Sequence, residues 1–262
     1  MILLSFDIEE FDMPYEYGKT LDFKEQLSIS TEGTLAILEI LKQTNVKATF
    51  YCTANYADHQ PEVVLKIVEE GHEIASHGYY HSAFLPEHLL QSRMALEKLT
   101  DLPVKGYRMA RMMPVDEEEI YKAGYKYNSS INPTWLPGRY NNLKKPRKWF
   151  FQEGVLQIPS SVTPLLRFPL FWLSFHNVPL FILQWMSAFT HYRDGYLNLY
   201  FHPWEFTNLD NREKFGFPDY ISKNTGEDFG SKIRFFIEWA QRKGYDFART
   251  GDFASEIIQR SK

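Results

Sequence analysis

Short β-rich runs alternate with helical stretches along most of this chain, and that alternation constrains the fold more than any other feature. Strand-like runs fall at 2–6, 46–51, 73–75, 104–107, 124–129, 155–158, 197–201 and 245–248. Helical spacing falls between them: 31–43 with Leu35, Leu38 and Leu41; 61–70 with Val64, Leu65 and Val68; then 89–99 and 116–123. A helix over 231–243 turns Ile233, Phe236, Ile237 and Ala240 inward, and another covers 252–259. Asp116 and Glu119 form an approximate capping box. Such alternation gives βαβ units and a mostly parallel sheet, whose strand tips collect functional groups. No repeat, low-complexity tract or long linker interrupts it, so one domain is expected over 1–262.

A chain of 262 residues suits a single α/β barrel, and 44% hydrophobic with 24% charged residues excludes general disorder. The lone cysteine, Cys52, has no internal partner, which points to a reducing compartment. Met1 to Leu4 lacks a basic region and soon meets Asp7, Glu9 and Glu10, unlike an export signal, so a cytoplasmic location is expected. The net charge of −4, with no evident Lys/Arg block, excludes nucleic acid as a partner. Aromatic residues make up 16% of the chain, in keeping with ligands that are sugars or apolar tails.

One stretch breaks the pattern. Residues 167–186, within an aromatic insertion around 162–190, are strongly apolar, but Pro169, His176, Asn177 and Pro179 rule against an uninterrupted membrane span. They read as buried helices or a lid over the barrel. The sharper alternative is an exposed platform, carried by Trp172, Phe175 and Trp185, that makes peripheral contact with the inner membrane face.

Three polar clusters follow strands. In Asp7-Ile8-Glu9-Glu10, extended backbone sends Asp7 and Glu9 the same way, so one can hold a cation while the other acts as a base. The pair His77 and His81 has spacing suited to one divalent ion, whereas His72 belongs to the turn before a strand. His59, His88, His176 and His191 read as structural. His202, followed by Pro203, suits a general acid. Each cluster alone also reads as a solvated loop or a packing histidine; together they fit a hydrolytic metal site with open positions.

The order of these clusters resembles the polysaccharide deacetylase family, the NodB-homology domain of carbohydrate esterases, from Ser5 to about Glu205. SFDIEE resembles its first motif, SHGYYH from Ser76 its second, GYRMAR from Gly106 its third, and FHPWEF from Phe201 its last. The resemblance implies a distorted (β/α)7 barrel and a metal-dependent hydrolase that removes an N-acyl group, acetyl above all, from a sugar; the start of the chain and the apolar stretch 167–186 point to a lipid-linked or polysaccharide precursor as that sugar. It makes Asp7 the base, Glu9, His77 and His81 the metal ligands, Arg108 the residue that orients the base, and His202 the acid. The implied cofactor is one divalent ion, zinc by default, with cobalt, nickel or iron fitting the same ligands. Backbone N–H groups between Tyr107 and Arg111 are candidates for an oxyanion site. Tyr79, Trp204 and Phe11 are candidates to stack on sugar.

The chain departs from the family with Glu9 for the commoner Asp, Ala110 for Pro, and Asn128 where an acid supports the late histidine. Asp194, Glu205 or Asp252 then becomes the candidate support for His202. Two other readings compete: a metal-independent amidohydrolase of small cyclic amides, and a non-catalytic sugar-binding barrel. The identity of the sugar and the oligomeric state are not encoded in any of these patterns.

Overall fold

Seven parallel strands carry the architecture. In the computed structural model, which describes residues 1–261, they are β1 (Ile2–Ile8), β2 (Thr49–Cys52), β3 (Glu73–Ser76), β4 (Gly106–Tyr107), β5 (Tyr127–Asn128), β9 (Val155–Gln157) and β10 (Leu197–Phe201). Between the fifth and sixth of these lie a small hairpin, β6 (Trp135–Leu136) with β7 (Tyr140–Asn141), and β8 (Phe150–Gln152), antiparallel to β9. The sheet order is β10-β1-β2-β3-β4-β5-β9-β8, and β11 (Phe247–Ala248) adds to the start of β1. All seven residues of β1 are buried, as expected of a strand with neighbours on both edges and cover on both faces.

The barrel closes without a full strand ladder between β9 and β10. Instead the Asn198 amide donates to the carbonyls of Ile158 and Pro159, and Ser161 N–H donates to the Asn198 carbonyl. The Asn198 side-chain amide and one backbone bond thus stand at the seam in place of a strand ladder.

The helices are α1 (Phe23–Thr44), α2 (Ala54–His59), α3 (Pro61–Glu69), α4 (Glu87–Thr100), α5 (Glu117–Lys122), α6 (Trp172–Asn177) and α7 (Leu180–Asp194), followed by four more including Glu227–Arg242 and Thr250–Arg260. Helix α1 begins well before 31, because Asp22 caps it by accepting from Lys24 N–H. Its inner face holds Leu27, Ile37, Leu38 and Leu41, while Leu35 faces water. In α3 the buried residues are Val63, Val64 and Ile67, and Leu65 points outward. Both corrections are a rotation of the apolar stripe by about one residue. Asp116 does cap α5, through Glu118 N–H, but Glu119 bonds Lys122 and forms no capping box. The inward face expected near the carboxyl end, with Ile233, Phe236, Ile237 and Ala240, is buried.

Gly33 lets α1 approach the active-site end of β10. A Cβ there would lie 1.8 Å from the Pro203 carbonyl oxygen, so only glycine allows the turn after His202 to rest on the helix. The stretch 167–186 becomes α6 and the first part of α7, joined at Pro179, and no described helix is long and apolar enough to cross a membrane. Phe175 and Leu183 are core residues, whereas Phe181 and Trp185 are exposed. The segment is therefore neither wholly buried nor wholly a platform.

Candidate active site

At the carboxyl tips of β1, β3, β4 and β10, six predicted residues come together. Asp7 lies in the last turn of β1, and Glu9 follows its end. His77 follows β3, and Gly78, with φ of 88°, turns the chain so that His81 returns to the same point. The Glu9 Oε2 atom lies 3.1 Å from His77 Nε2 and 3.0 Å from His81 Nε2. Neither contact has hydrogen-bond geometry, and this buried oxygen is left without a partner.

The far side of each imidazole explains the arrangement. His77 Nδ1–H donates to the Arg108 carbonyl at 2.9 Å, and His81 Nδ1–H donates to Asp12 Oδ1 at 2.7 Å. Neutral rings so held turn two Nε2 lone pairs toward a carboxylate oxygen, and three acceptors can share one point only around a cation or a proton. Glu9, His77 and His81 are the group of the described residues able to hold a metal ion, with donor atoms within 4.8 Å of one another. Without an ion the positive charge is a proton on His81. Burial opposes it, but Glu9 and Asp12 outweigh burial and push the pKa up to about 10. Burial likewise raises the Glu9 pKa, yet the two imidazoles hold it well below the usual carboxylate range. The donor set, two nitrogens and one carboxylate oxygen with oriented outer partners, fits a divalent transition ion.

Beside this triad, Arg108 Nη1 donates to Asp7 Oδ1 at 2.6 Å. The guanidinium is fully buried, bonded to Ser5 and Ser129, and stacked 3.9 Å from the centre of the Tyr51 ring. Asp7 Oδ2 remains directed at the cleft, 4.0 Å from His202 Nε2. His202 Nδ1–H donates to Glu205 Oε1 at 2.9 Å, and Glu205 also accepts from the His202 backbone N–H. Burial lowers the His202 pKa, but Glu205 reverses that and the net shift is upward.

Of the three candidate supports for His202, Glu205 is therefore the one in contact. Asp194 pairs with Arg147 and Asp252 with Arg249. Asn128 points away, donating to Glu117 and Gln157. Along the expected oxyanion segment, Arg108 N–H and Met109 N–H are already committed to the Ser76 carbonyl and the Ser130 hydroxyl.

The stacking candidates divide. Trp204 lines the cleft but is almost wholly buried beneath His202, ring centroids 5.2 Å apart. Phe11 is core, packed on Trp204, Phe215 and Phe217, and has no face for a ligand. Tyr79 lies outside the cleft, its hydroxyl donating to Asp58. Their sequence neighbours to the motifs misled: aromatic type alone does not tell a wall from its backing. The cleft, about 240 Å³, is walled instead by Trp172, Tyr140, Leu136 and Tyr200. Trp172 meets the His202 ring edge-on at 5.6 Å. Asp12 was also missed, although it closes the acidic run DIEEFD and was open to the reasoning applied to Asp7. His176, read as structural, donates from Nε2–H to Glu205 Oε2 at 2.9 Å and so steadies the support of His202. Arg111 and Met112 hold positive φ at the cleft edge, where the Arg111 side chain meets Asp12 and Glu16.

Comparison with known proteins agrees with this geometry. Residues 2–111 match the family model "Polysaccharide deacetylase". Over that stretch the chain is similar to the polysaccharide deacetylase family. A peptidoglycan-N-acetylglucosamine deacetylase of Bacillus cereus is 48% identical over 50 residues, 19% of this chain and 18% of that one. A peptidoglycan-N-acetylmuramic acid deacetylase of Bacillus subtilis is 33% identical over 125 residues, 47% of this chain and 36% of that one. The matches thus span well under half of these relatives' lengths. A crystal structure from Mycobacterium smegmatis, assigned as a polysaccharide deacetylase, superposes with a TM-score of 0.70 at 16% identity, covering 99% of this chain and 90% of that one. At that identity the likeness establishes the fold, and the distorted (β/α)7 barrel expected from the motifs is the one observed.

Proposed function

We propose that this chain is a member of the polysaccharide deacetylase family and a metal-dependent hydrolase that removes an N-acyl group, acetyl above all, from a sugar or polysaccharide precursor. The observation that carries the reading is the unpartnered Glu9 Oε2 among two inward Nε2 atoms, set beside the Arg108-bound Asp7 and the Glu205-bound His202. A divalent ion on Glu9, His77 and His81, zinc by our reading, supplies Lewis acidity toward the amide carbonyl and toward water.

The chain's own groups supply the proton traffic. Arg108 occupies Asp7 Oδ1 and fixes the carboxylate plane, leaving Oδ2 to take a proton from the attacking water. Glu205 accepts from His202 Nδ1–H and raises its pKa, which favours the imidazolium, the form that also carries a proton on Nε2. That proton goes to the leaving amine. Asp7 Oδ2 and His202 Nε2 stand 4.0 Å apart, close enough for base and acid to serve the same reacting amide. Without an ion, the buried Glu9 Oε2 depends on a proton at His81 for its counter-charge, and the metal reading replaces that contact with a ligand bond.

The test is acetate release from N-acetylated oligosaccharides by zinc-loaded protein, against Asp7→Asn. The expected result is turnover in the parent chain and a loss of about 10²–10⁴-fold in the variant with ion content unchanged. Failure of the parent chain to retain any divalent ion, or full turnover by the variant, would end the reading.

A further inference from the structure

Between Glu153 and Asp194 the chain carries no Asp or Glu. From Arg139 to Arg193 seven Lys or Arg stand against one acid, Glu153, a formal +6 in a chain of net charge −4. The sequence does hold a short basic run after all: Lys144, Lys145, Arg147 and Lys148. Arg147 is neutralised by Asp194 at 2.7 and 2.8 Å, which leaves the three lysines exposed and unpaired with acid in their own stretch.

Against this run sits a tight loop, residues 163–168. Thr163 N–H donates to the Phe168 carbonyl and Phe168 N–H to Thr163 Oγ1, both at 2.9 Å. The Arg167 guanidinium donates to the Pro133 and Lys145 carbonyls, and its own carbonyl accepts from Thr134. The loop is pinned at its base, yet it holds Leu165 and Leu166 at its tip 85% and 88% exposed. Adjacent leucines presented on a braced turn beside lysines are an apolar probe with a cationic collar. The Arg147–Asp194 pair joins this edge to the carboxyl end of α7, where Tyr192 is 83% exposed; the exposed Phe181 and Trp185 lie toward the other end of that helix.

We propose that this face docks on an anionic phospholipid bilayer, with Leu165 and Leu166 entering below the headgroups and Lys144, Lys145 and Lys148 meeting lipid phosphates. The charge favours an anionic over a neutral bilayer, and the leucines favour a bilayer over a soluble polyanion. Thr134 ties the loop to the β6–β7 hairpin, whose Leu136 and Tyr140 line the cleft, so the docked edge adjoins the wall of the active site. The platform expected at 167–186 is thereby moved: Trp172 belongs to the cleft and Phe175 to the core, and neither can carry it.

Co-sedimentation of the whole chain with vesicles tests this independently of catalysis. The probes are phosphatidylglycerol–phosphatidylcholine vesicles and vesicles of phosphatidylcholine alone. Binding to the first is expected to exceed binding to the second by about tenfold or more and to weaken with added salt. Both L165S/L166S and K144Q/K145Q/K148Q are expected to lower it by about tenfold or more, with unchanged thermal unfolding showing that each variant is folded. No binding to the anionic vesicles overturns the proposal. So does binding that the leucine substitutions leave unchanged, because that is adsorption of charge without insertion.

Discussion

The floor and the wall of the cleft are built on opposite principles. On the floor, Asp7, Glu9, His77, Arg108 and Glu205 are buried and interlocked through charge-assisted bonds, so removing one partner strands another. Along the wall, Leu136, Tyr140 and Trp172 come from short strands, loops and a helix start, held by packing and by backbone carbonyls. The floor can therefore fix reacting atoms, while the wall can change shape or composition without disturbing them. Chemistry and selection of substrate are thus separable in this molecule, and substitutions on the two sides should fail in different ways.

The largest effect is expected from His77→Ala with His81→Ala. It should abolish the ion, about one per chain in the parent, and with it all acetate release, as read by metal analysis of purified protein. Next, Arg108→Met leaves Asp7 as an uncompensated buried charge. A loss of about 3–5 kcal/mol in unfolding free energy is expected from denaturant titration, together with loss of activity.

A subtler break is Asp12→Asn, which removes the acceptor that orients His81. Ion affinity should fall by about 10–100-fold in competition with a chromophoric chelator. The same titration should show parent-chain affinity rising with pH up to about 10, because an entering ion must displace the proton that His81 otherwise holds. Glu205→Gln reaches the acid and His176 but none of the proposed ion ligands. Glu205 raises the His202 pKa, so its loss lowers that pKa, and the alkaline limb of the pH–rate profile should move to lower pH while ion content stays whole. The smallest effect belongs to the wall: Trp172→Ala should raise KM several-fold and leave ion binding unchanged, which steady-state kinetics on oligosaccharides of different length would read.

The floor was readable from sequence because its groups lie in short motifs at strand ends, where a buried run stops abruptly in polar residues. Asp7 after Phe6 and His202 after Phe201 are the plainest instances. The wall was not readable, since Tyr140 and Trp172 have no periodic neighbours and reach the cleft only through the path of loops. Phe11 and Tyr79 show the complementary error: adjacency in sequence to a motif was taken as adjacency in space. Glu205 could only be one of three candidates until the turn after β10 placed it, and α1 was too short by eight residues because Asp22 was not recognised as its cap.

Gly33 carries a consequence for how the sequence can vary. It has no chemical group to offer, stands mid-helix, and belongs to neither floor nor wall. Yet any side chain there would lift the Pro203 carbonyl and tilt the adjacent histidine off its line to the cleft. In a map of mutational tolerance this position would score beside the ionised residues of the active site, and a designer reading such a map would mistake a clearance for a catalyst.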